Sequence, residues 1–278
     1  MTATNPNEIP PWKLRVGAAL SRSRLFERSG LGPDYMRWQR RRRRAARRAA
    51  EARGEQHLSR PALYDLDAKL EPYLGPIEGG YFVEAGANDG FDQSNTYYLE
   101  RFRGWRGLLV EPVPHLHREA QLERPASRVV HAALVAPELE GTEVELRYGG
   151  LMTVVSGSKG SVAEERDYVK SAFRLGLEPE MLVTAPGRTL SALLDEAGAP
   201  QIDFMSLDLE GYEANALRGL DFSRHAPRYL LTEAWDDDDR ASMSALLGAR
   251  YRFVEQLSPQ DALFMRVDRP DDDGDAPA

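Results

Sequence analysis

Cysteine is absent from this 278-residue chain. Its absence excludes disulfide bonds, thiolate metal sites and cysteine nucleophiles, and it is compatible with a reducing compartment. Histidine is scarce, with five residues, and no Gly-x-Ser-x-Gly sequence occurs. Catalysis by a serine, histidine and aspartate triad therefore finds no support.

Long apolar runs are also missing. No segment approaches the roughly 18–20 apolar residues that cross a bilayer, and the first residues lack the apolar centre of a signal peptide. We therefore expect a soluble, cytoplasmic protein. The length allows one sizeable core, so one catalytic-size domain with appendages is the starting expectation.

Positive charge is concentrated at one end of the chain. Residues 1–60 hold 15 Lys/Arg and 5 Asp/Glu, whereas residues 61–278 hold 21 and 39, so the net charges are +10 and −18. Within Met36–Arg53, alanine and arginine favour a helix although the like charges oppose it. Such a basic arm indicates an anionic partner, with a membrane surface, nucleic acid and a polyanionic glycan all open, or else a solvated, partly disordered segment.

The rest of the chain predicts one domain over residues 61–267 and a disordered acidic tail over residues 268–278. The leucine spacing in Arg60–Leu74 predicts an amphipathic helix. Beyond it, strand-like and helix-like segments alternate, which is typical of a doubly wound, mostly parallel α/β sheet. The predicted strands are Tyr81–Glu84, Gly107–Val110, Arg128–His131, Ile202–Leu207 and Arg228–Leu231, and the predicted helices are Ser94–Arg103, His115–Glu123, Leu190–Ala197, Tyr212–Leu217 and Arg240–Leu247.

Three segments depart from the alternation. Thr142–Gly149 alternates apolar and polar residues, which predicts an extra strand. Met152–Glu180 has weak periodicity, so we expect a loop-rich insertion of the kind that closes over a site and selects its substrate. Arg250–Val267 predicts two strands around a Ser-Pro turn, which would form an antiparallel edge of the sheet.

The segment "FVEAGANDG" ends an apolar strand on Glu84 and continues into a turn with Gly86 and Gly90. A dinucleotide site requires a glycine where this chain has Asn88, and an acid at the turn would repel pyrophosphate. The turn favours a cationic, hydroxylated ligand such as S-adenosylmethionine. Glu111 ends the next predicted strand, where an acid can accept hydrogen bonds from both ribose hydroxyls.

Further acids follow later strands. Asp208 ends an apolar strand, and Glu210 and Glu213 begin a helix, so they could contact the ligand, act as a general base or complement the helix dipole. Asp208 and Glu233 could converge on Mg²⁺ as hard oxygen ligands or form part of a substrate pocket. The run Asp236–Asp239 favours a solvated helix start over a metal site. His131 closes a strand, where it is either a structural histidine or part of the pocket.

Together these segments resemble the FkbM-type family of S-adenosylmethionine-dependent methyltransferases. The resemblance covers Tyr81 to Val267 and rests on the motifs "FVEAGANDG", "SNTYYLE", "GWRGLLVEP", "GRTLSALLDE" and "IDFMSLDLEGYEANALRGLDF". It implies a class I methyltransferase (Rossmann-like) fold with a seven-stranded sheet, carrying here a helical basic N-terminal extension. It also implies methyl transfer to a hydroxyl on a sugar, glycan or natural-product acceptor.

The resemblance also implies site residues. Cofactor contacts would come from Glu84, Gly86, Ala87, Asn88, Asp89, Gly90, Asn95, Glu111, Ala132, Ala133 and Asp208, with Glu111 at the ribose and the two alanines near the adenine. The catalytic candidates at the methyl group are Asp208 and Glu210, followed by His131. Related sugar methyltransferases hold a divalent metal, which would fall on Asp208 and Glu233 here.

Two other functions stay open at this point. A nicotinamide-dependent oxidoreductase would use the same kind of sheet, and a non-enzymatic binding protein would act through the arginine-rich arm. The sequence indicates neither the acceptor nor an oligomeric state.

Overall fold

A computed structural model describes residues 31–150, 152–173 and 180–267, without the side chains of residues 31–37 and 170–173. Residues 1–30 of the predicted arm, residues 174–179 of the predicted insertion and the predicted tail 268–278 lie outside the described residues. The chain divides into two compact units. Of the described residues, the first unit contains 31–60 and 145–183, and the second contains 61–144 and 184–267.

Helices and strands alternate along most of the chain. The helices are α1 (Leu31–Glu51), α2 (Leu66–Lys69), α3 (Glu71–Leu74), α4 (Tyr97–Phe102), α5 (Pro114–Glu123), α6 (Val162–Phe173), α7 (Leu190–Ala197), α8 (Glu213–Arg218), α9 (Phe222–His225) and α10 (Asp237–Leu247). The strands are β1 (Tyr81–Ala85), β2 (Arg106–Val110), β3 (Arg128–Val130), β4 (Ala133–Leu134), β5 (Glu143–Gly149), β6 (Met152–Val155), β7 (Met181–Arg188), β8 (Phe204–Leu207), β9 (Tyr229–Glu233), β10 (Tyr251–Gln256) and β11 (Asp261–Arg266). Short 3₁₀ turns occupy Leu63–Asp65, Pro137–Leu139 and Gly248–Arg250.

A seven-stranded sheet forms the centre of the second unit. Its strand order is β10-β11-β9-β8-β1-β2-β3. The pairs among β3, β2, β1, β8 and β9 are parallel, and β11 is antiparallel to both β9 and β10. This order is that of the class I methyltransferases, so the predicted fold is confirmed. The predicted antiparallel edge is present as well, with β11 inserted between β9 and β10.

Both faces of this sheet are covered. Successive residues of a strand point to opposite faces, and in β1 Val83 joins one apolar core while Phe82 joins the other. The same division occurs in β8, where Met205 and Phe204 belong to the two different cores. Burial on both faces explains why these strands are continuous apolar runs, which made them recognisable in the sequence.

The predicted amphipathic helix over Arg60–Leu74 is wrong as a single element. The structure divides it into a 3₁₀ turn, α2 and α3. Tyr64 and Asp65 have left-handed φ angles of 55° and 57°, which interrupt a right-handed helix. The leucine spacing still reports burial, because Leu66, Leu70 and Leu74 all belong to one core.

The first unit contains the basic helix α1. The helix ends at Glu51 and is followed by a turn that reaches Gly54. Gly54 has a left-handed φ of +78°, which is common just after a helix. Arg41, Arg42 and Arg43 are exposed to solvent. An anionic partner for this helix stays a prediction. None of the described helices combines the length and apolarity needed to cross a bilayer.

The same unit contains most of the predicted insertion, which is more ordered than expected from its sequence. Strand β6 pairs antiparallel with β5, and α6 follows it. Arg147 lies 2.7 Å from the Glu180 carboxylate and 3.8 Å from that of Glu165. The prediction of a loop-rich segment was wrong, because weak sequence periodicity concealed both the four-residue strand β6 and the 12-residue helix α6.

Candidate active site

The carboxyl ends of the parallel strands meet at one edge of the seven-stranded sheet. Glu84 of β1 is aligned with Ser206 of β8, and Leu207 is aligned with Thr232 of β9. Asp208 and Glu233 are the next residues of their strands, so they lie side by side at this edge. Ligands of doubly wound sheets bind there, and the residues predicted for a site at the ends of β1, β8 and β9 are brought together by the fold.

The turn after β1 is packed tightly against protein. A Cβ atom on Gly86, which has a φ of +77°, would lie 2.1 Å from the backbone oxygen of Asp208. A Cβ atom on Gly90, with a φ of +82°, would lie 2.9 Å from the Cα of Ala120 in α5. These two glycines therefore bring the turn against neighbouring protein backbone. Their contact with a cofactor stays a prediction.

Glu84 is buried and organises the segment that follows the turn. Its carboxylate accepts hydrogen bonds from the hydroxyls of Ser94, at 2.9 and 3.0 Å, and Thr96, at 2.7 Å. It also accepts one from the backbone N–H of Asn95 at 2.8 Å. The structure thus shows a positioning role for this acid, and its predicted contact with the cofactor remains untested.

Arg124 completes this network, and sequence analysis missed it. Its guanidinium is fully buried, 3.2 Å from the Glu84 carboxylate and 3.0 Å from that of Glu100. It also donates to the Thr96 hydroxyl and to the backbone oxygen of Gly90. A buried arginine between two carboxylates satisfies their charge where water cannot. No local signal marks it, because its partners are 24–40 residues away.

Glu111 connects the turn to β2. One carboxylate oxygen accepts the Asn88 N–H at 2.7 Å, and the other accepts the Val113 N–H at 2.8 Å. Burial raises the pKa of Glu111 to about 8, the two N–H bonds oppose this shift, and the negative charge of Asp89 adds to it. An ionised carboxylate has about four acceptor positions, so each oxygen of the ionised form retains one for a further donor, and donors placed there favour ionisation.

Asn95 has an incomplete hydrogen-bond set at the same edge. Its Nδ2 donates to the Ser206 hydroxyl at 3.0 Å, whereas its Oδ1 is buried without a hydrogen-bond partner. A buried acceptor of this kind costs free energy until a donor reaches it. The predicted assignment of Asn95 to the cofactor is compatible with this arrangement and stays a prediction.

His131 and the two alanines lie on the β3 side. The Nε2 of His131 is 2.8 Å from the Pro112 carbonyl oxygen, so it donates a proton there. Strands β3 and β8 are three steps apart in the sheet, or about 14 Å at the usual strand spacing. The predicted catalytic role of His131, behind Asp208 and Glu210, stays a prediction. Ala132 and Ala133 are buried in the core, and their position near an adenine is untested.

Carboxylates crowd the end of β8 and β9. Asp208 keeps solvent contact although protein atoms surround it closely, as expected for a side chain in a concave site. Its pKa is raised well above the usual value by desolvation and by the charges of Glu210, Glu213, Asp261 and Glu84. Glu210 itself has a left-handed φ of 56°, which turns the chain before α8.

Glu213 and Glu233 form a hydrogen-bonded carboxyl pair. Glu213 also accepts the backbone N–H groups of Leu209 at 2.8 Å and Gly211 at 3.2 Å, so it is the better acceptor of the two. Burial and the charges of Asp208 and Glu213 raise the pKa of Glu233 to about 10, so Glu233 holds the shared proton at neutral pH. Asp261 of β11 lies opposite Glu233, an acid that sequence analysis missed.

A metal centre receives no support. The described residues contain no group of three or more His, Asp or Glu side chains arranged to hold a metal ion. Asp208 and Glu233 do lie at the ends of adjacent strands, as predicted. The predicted solvated helix start is confirmed, because Asp236 caps α10 by accepting the N–H of Asp239.

Comparison with known protein families gives one match. A sequence profile described as "Methyltransferase FkbM domain" matches residues 84–253. No curated protein sequence matches the chain. Among solved structures, a TehB-like SAM-dependent methyltransferase from Corynebacterium glutamicum is similar at 14% identity, covering 86% of this chain and 100% of that chain with a TM-score of 0.38.

Two further solved structures have comparable scores. A SAM-dependent methyltransferase from Aquifex aeolicus has 13% identity, 75% and 93% coverage and a TM-score of 0.36. The human methyltransferase 10 domain containing protein has 11% identity, 72% and 79% coverage and a TM-score of 0.38. The profile match extends over more than half of the chain and includes the ends of β1, β2, β8 and β9. The chain therefore belongs to the FkbM methyltransferase family.

Proposed function

We propose that this methyltransferase takes its methyl group from S-adenosylmethionine and transfers it to a hydroxyl oxygen of a sugar, glycan or natural-product acceptor. The observation that carries the proposal is the position of Glu111, whose two oxygens are fixed by backbone N–H groups and still have acceptor capacity. Two adjacent ribose hydroxyls match that capacity. The oxidoreductase alternative is not favoured, because the family is one of methyltransferases.

The residues around the turn fit this cofactor chemically. The buried Oδ1 of Asn95 requires a donor, and the ammonium group of S-adenosylmethionine is one. The acids along the edge suit a ligand that carries ammonium and sulfonium charges. When bound, S-adenosylmethionine supplies an electrophilic methyl group on a positively charged sulfur.

Asp208 is the proposed general base. The acceptor oxygen forms a bond to the methyl carbon while the carbon–sulfur bond breaks and its electron pair remains on sulfur, giving S-adenosylhomocysteine. The hydroxyl proton passes to the Asp208 carboxylate as the new bond forms. Desolvation and neighbouring acids raise the pKa of Asp208, which makes it a stronger base than an ordinary aspartate. Positioning of the two reactants supplies most of the acceleration.

Calorimetric titration with S-adenosylhomocysteine tests the cofactor. We expect the wild type to bind and Glu111→Ala to bind at least about tenfold more weakly, since two hydrogen bonds to a charged group are lost. Glu78→Ala, at an exposed position away from this edge, is the matched control and should bind like the wild type. Each titration is run with and without Mg²⁺. No binding by the wild type under either condition would sink the proposal.

Substitution of Asp208 tests the base. Asp208→Asn should lower the rate of methyl transfer from labelled S-adenosylmethionine to a pool of cell-derived glycans and small molecules by about 10²–10⁴-fold. Its affinity for S-adenosylhomocysteine should remain within a few fold. Glu210→Gln is the comparison variant, and a larger loss there than in Asp208→Asn would assign the base to Glu210.

A further inference from the structure

Trp235 stands at the edge of the sheet beside the crowded carboxylates. It is 58% exposed, whereas β9 just before it is almost entirely buried. Leu230 and Ala234 pack in one core and Leu231 in the other, so side chains alternate along this segment. The alternation places Trp235 on the same face as Glu233, two residues earlier.

The backbone that carries Trp235 is held on several sides. The Ala234 N–H donates to the Gln260 carbonyl at 2.8 Å, and the Ala234 carbonyl accepts from the Gln256 Nε2 at 2.9 Å. The Trp235 N–H donates to the Asp239 carboxylate at 3.0 Å. A side chain on such a fixed backbone needs little ordering when it binds, which favours affinity.

Two other exposed aromatic rings among the described residues, Trp38 and Phe253, are already covered by neighbours. The Arg42 guanidinium lies 4.9 Å from the centre of the Trp38 ring. Phe253 packs against Phe264 at 5.8 Å and beneath the Arg240 guanidinium at 5.7 Å. Trp235 makes neither kind of ring contact with any residue in the described part of the chain. Its indole face is therefore available to a ligand.

The chemistry around this ring selects one class of ligand. An indole offers a flat apolar surface with a hydrogen-bond donor at its edge. Carboxyl groups such as those of Asp208 and Glu233 at the same edge are able to hydrogen-bond hydroxyl groups. A sugar ring has both an apolar C–H face and hydroxyls around its rim. Nucleic acid would also stack on an indole, but its phosphates would be repelled by the acids at this edge.

We propose that Trp235 is the acceptor-binding platform and that the acceptor is a neutral saccharide, whose ring stacks on the indole. This inference rests on the proposed function, because it names the substrate class of the same site. Stacking on Trp235 holds the saccharide at the end of β9. One of its hydroxyls then faces Asp208, the residue proposed to accept the proton.

A glycan array tests the platform. Labelled protein saturated with S-adenosylhomocysteine is applied to immobilised neutral mono- and oligosaccharides, so that the basic helix α1 contributes little. We expect the wild type to bind at least one saccharide group, Trp235→Ala to lose at least about tenfold in apparent affinity, and Trp235→Phe to retain most of it. Trp38→Ala, at the other exposed tryptophan of the described chain, should bind like the wild type.

Two results would overturn the platform. One is a wild type that binds no neutral saccharide, and the other is Trp235→Ala binding the same saccharides as tightly as the wild type. Calorimetry with S-adenosylhomocysteine on every variant checks folding and separates the two proposals. Failure of the wild type to bind this ligand counts against the cofactor, whereas cofactor binding without any saccharide binding counts against Trp235 alone.

Discussion

Buried and crowded carboxylates have opposite surroundings in two parts of the same sheet edge. At the end of β1, Glu84 is met by Arg124, two hydroxyls and a backbone N–H. At the ends of β8 and β9, Asp208 and Glu233 face other acids, and the pKa of each is raised. One acid type thus serves as a fixed anchor on one side and as a proton-holding group on the other.

The physical difference lies in the partners of the carboxylates. Around Glu84, a guanidinium and several hydrogen-bond donors replace the water that a buried carboxylate loses. A carboxylate that faces other carboxylates gains stability by binding a proton. The first arrangement holds a turn in one geometry, and the second raises the pKa of its carboxyl groups so that they bind a proton more readily.

The largest effect is expected from removing the Arg124 guanidinium beside Glu84. Arg124→Met leaves Glu84 and Glu100 buried without their cation, so we expect a loss of about 3–5 kcal/mol in the free energy of unfolding. Urea denaturation followed by circular dichroism measures it. Arg128→Met removes an exposed arginine 3.7 Å from Glu196 and should cost less than about 1 kcal/mol. Equal losses in the two variants would show that the buried network is not an anchor.

The glycine turn gives the second test, because it joins the two sides. Gly86→Ala adds a Cβ atom 2.1 Å from the Asp208 backbone oxygen at a left-handed φ. We expect a cost of about 3 kcal/mol or more in unfolding free energy, together with weaker S-adenosylhomocysteine binding. Gly104 also has a left-handed φ, +68°, but a Cβ atom there would have no heavy atom within 4 Å. Gly104→Ala should therefore cost only about 1–2 kcal/mol in unfolding free energy. A Gly86→Ala variant as stable as Gly104→Ala would contradict the close packing.

The pH dependence of stability tests the crowded side. The unfolded pKa of a glutamate is about 4.3 and the folded pKa of Glu233 is about 10, so between these values the folded state holds a proton that the unfolded state has released. Stability therefore falls as pH rises through this window. Glu233→Gln removes the contribution, and we expect it to be more stable than the wild type at pH 9, by on the order of 1 kcal/mol, and nearly equal at pH 4.

The control for this test has a shift of the opposite sign. Hydrogen bonds from Ser223 and Arg224 lower the pKa of Asp221 to about 2. Its contribution is present above the unfolded pKa near 3.9 and is lost only as pH falls toward 2, so Asp221→Asn should leave the slope between pH 5 and 9 unchanged. If the unfolding free energies of the wild type and Glu233→Gln changed with pH in the same way between pH 5 and 9, Glu233 would be ionised in the folded state.

The smallest test extends the comparison to an uncharged group. The hydroxyl of Thr232 is fully buried in β9 without a hydrogen-bond partner. Thr232→Val should therefore be neutral or stabilising, within about 1 kcal/mol. In Thr189, by contrast, the hydroxyl accepts the Ala192 N–H and caps α7, so Thr189→Val should cost about 1 kcal/mol. Thermal unfolding of both variants measures the difference, and equal shifts would contradict it.

Sequence reasoning recovered the parts of this molecule that follow from local patterns. The apolar runs that end at Glu84, Glu111 and Asp208 predicted three adjacent strand ends, because buried parallel strands are apolar throughout. The order and spacing of several motifs also indicated the family, and the family implied the fold of the sheet. Most predicted helices and strands of the second unit differ from the observed ones by a few residues at their ends.

The missed features depend on contacts between distant segments. Arg124 and Asp261 acquire their roles only when β1, β9, β11 and α5 come together, and neither has a distinctive neighbour in sequence. The left-handed Tyr64 was equally hidden, because non-glycine residues seldom adopt that conformation. The leucine spacing therefore predicted correctly which side chains are buried. It predicted a continuous helix, which was wrong.

The contact between Gly86 and the Asp208 carbonyl limits how this enzyme can be recombined with its relatives. The turn that would hold the cofactor and the strand end that would hold the base touch through backbone, with no side chain between them to absorb a change. A chimera that takes β1 from one relative and β8 from another must reproduce that approach to within a few tenths of an ångström. The two segments therefore have to be exchanged together, although 121 residues lie between Gly86 and Asp208 in the sequence.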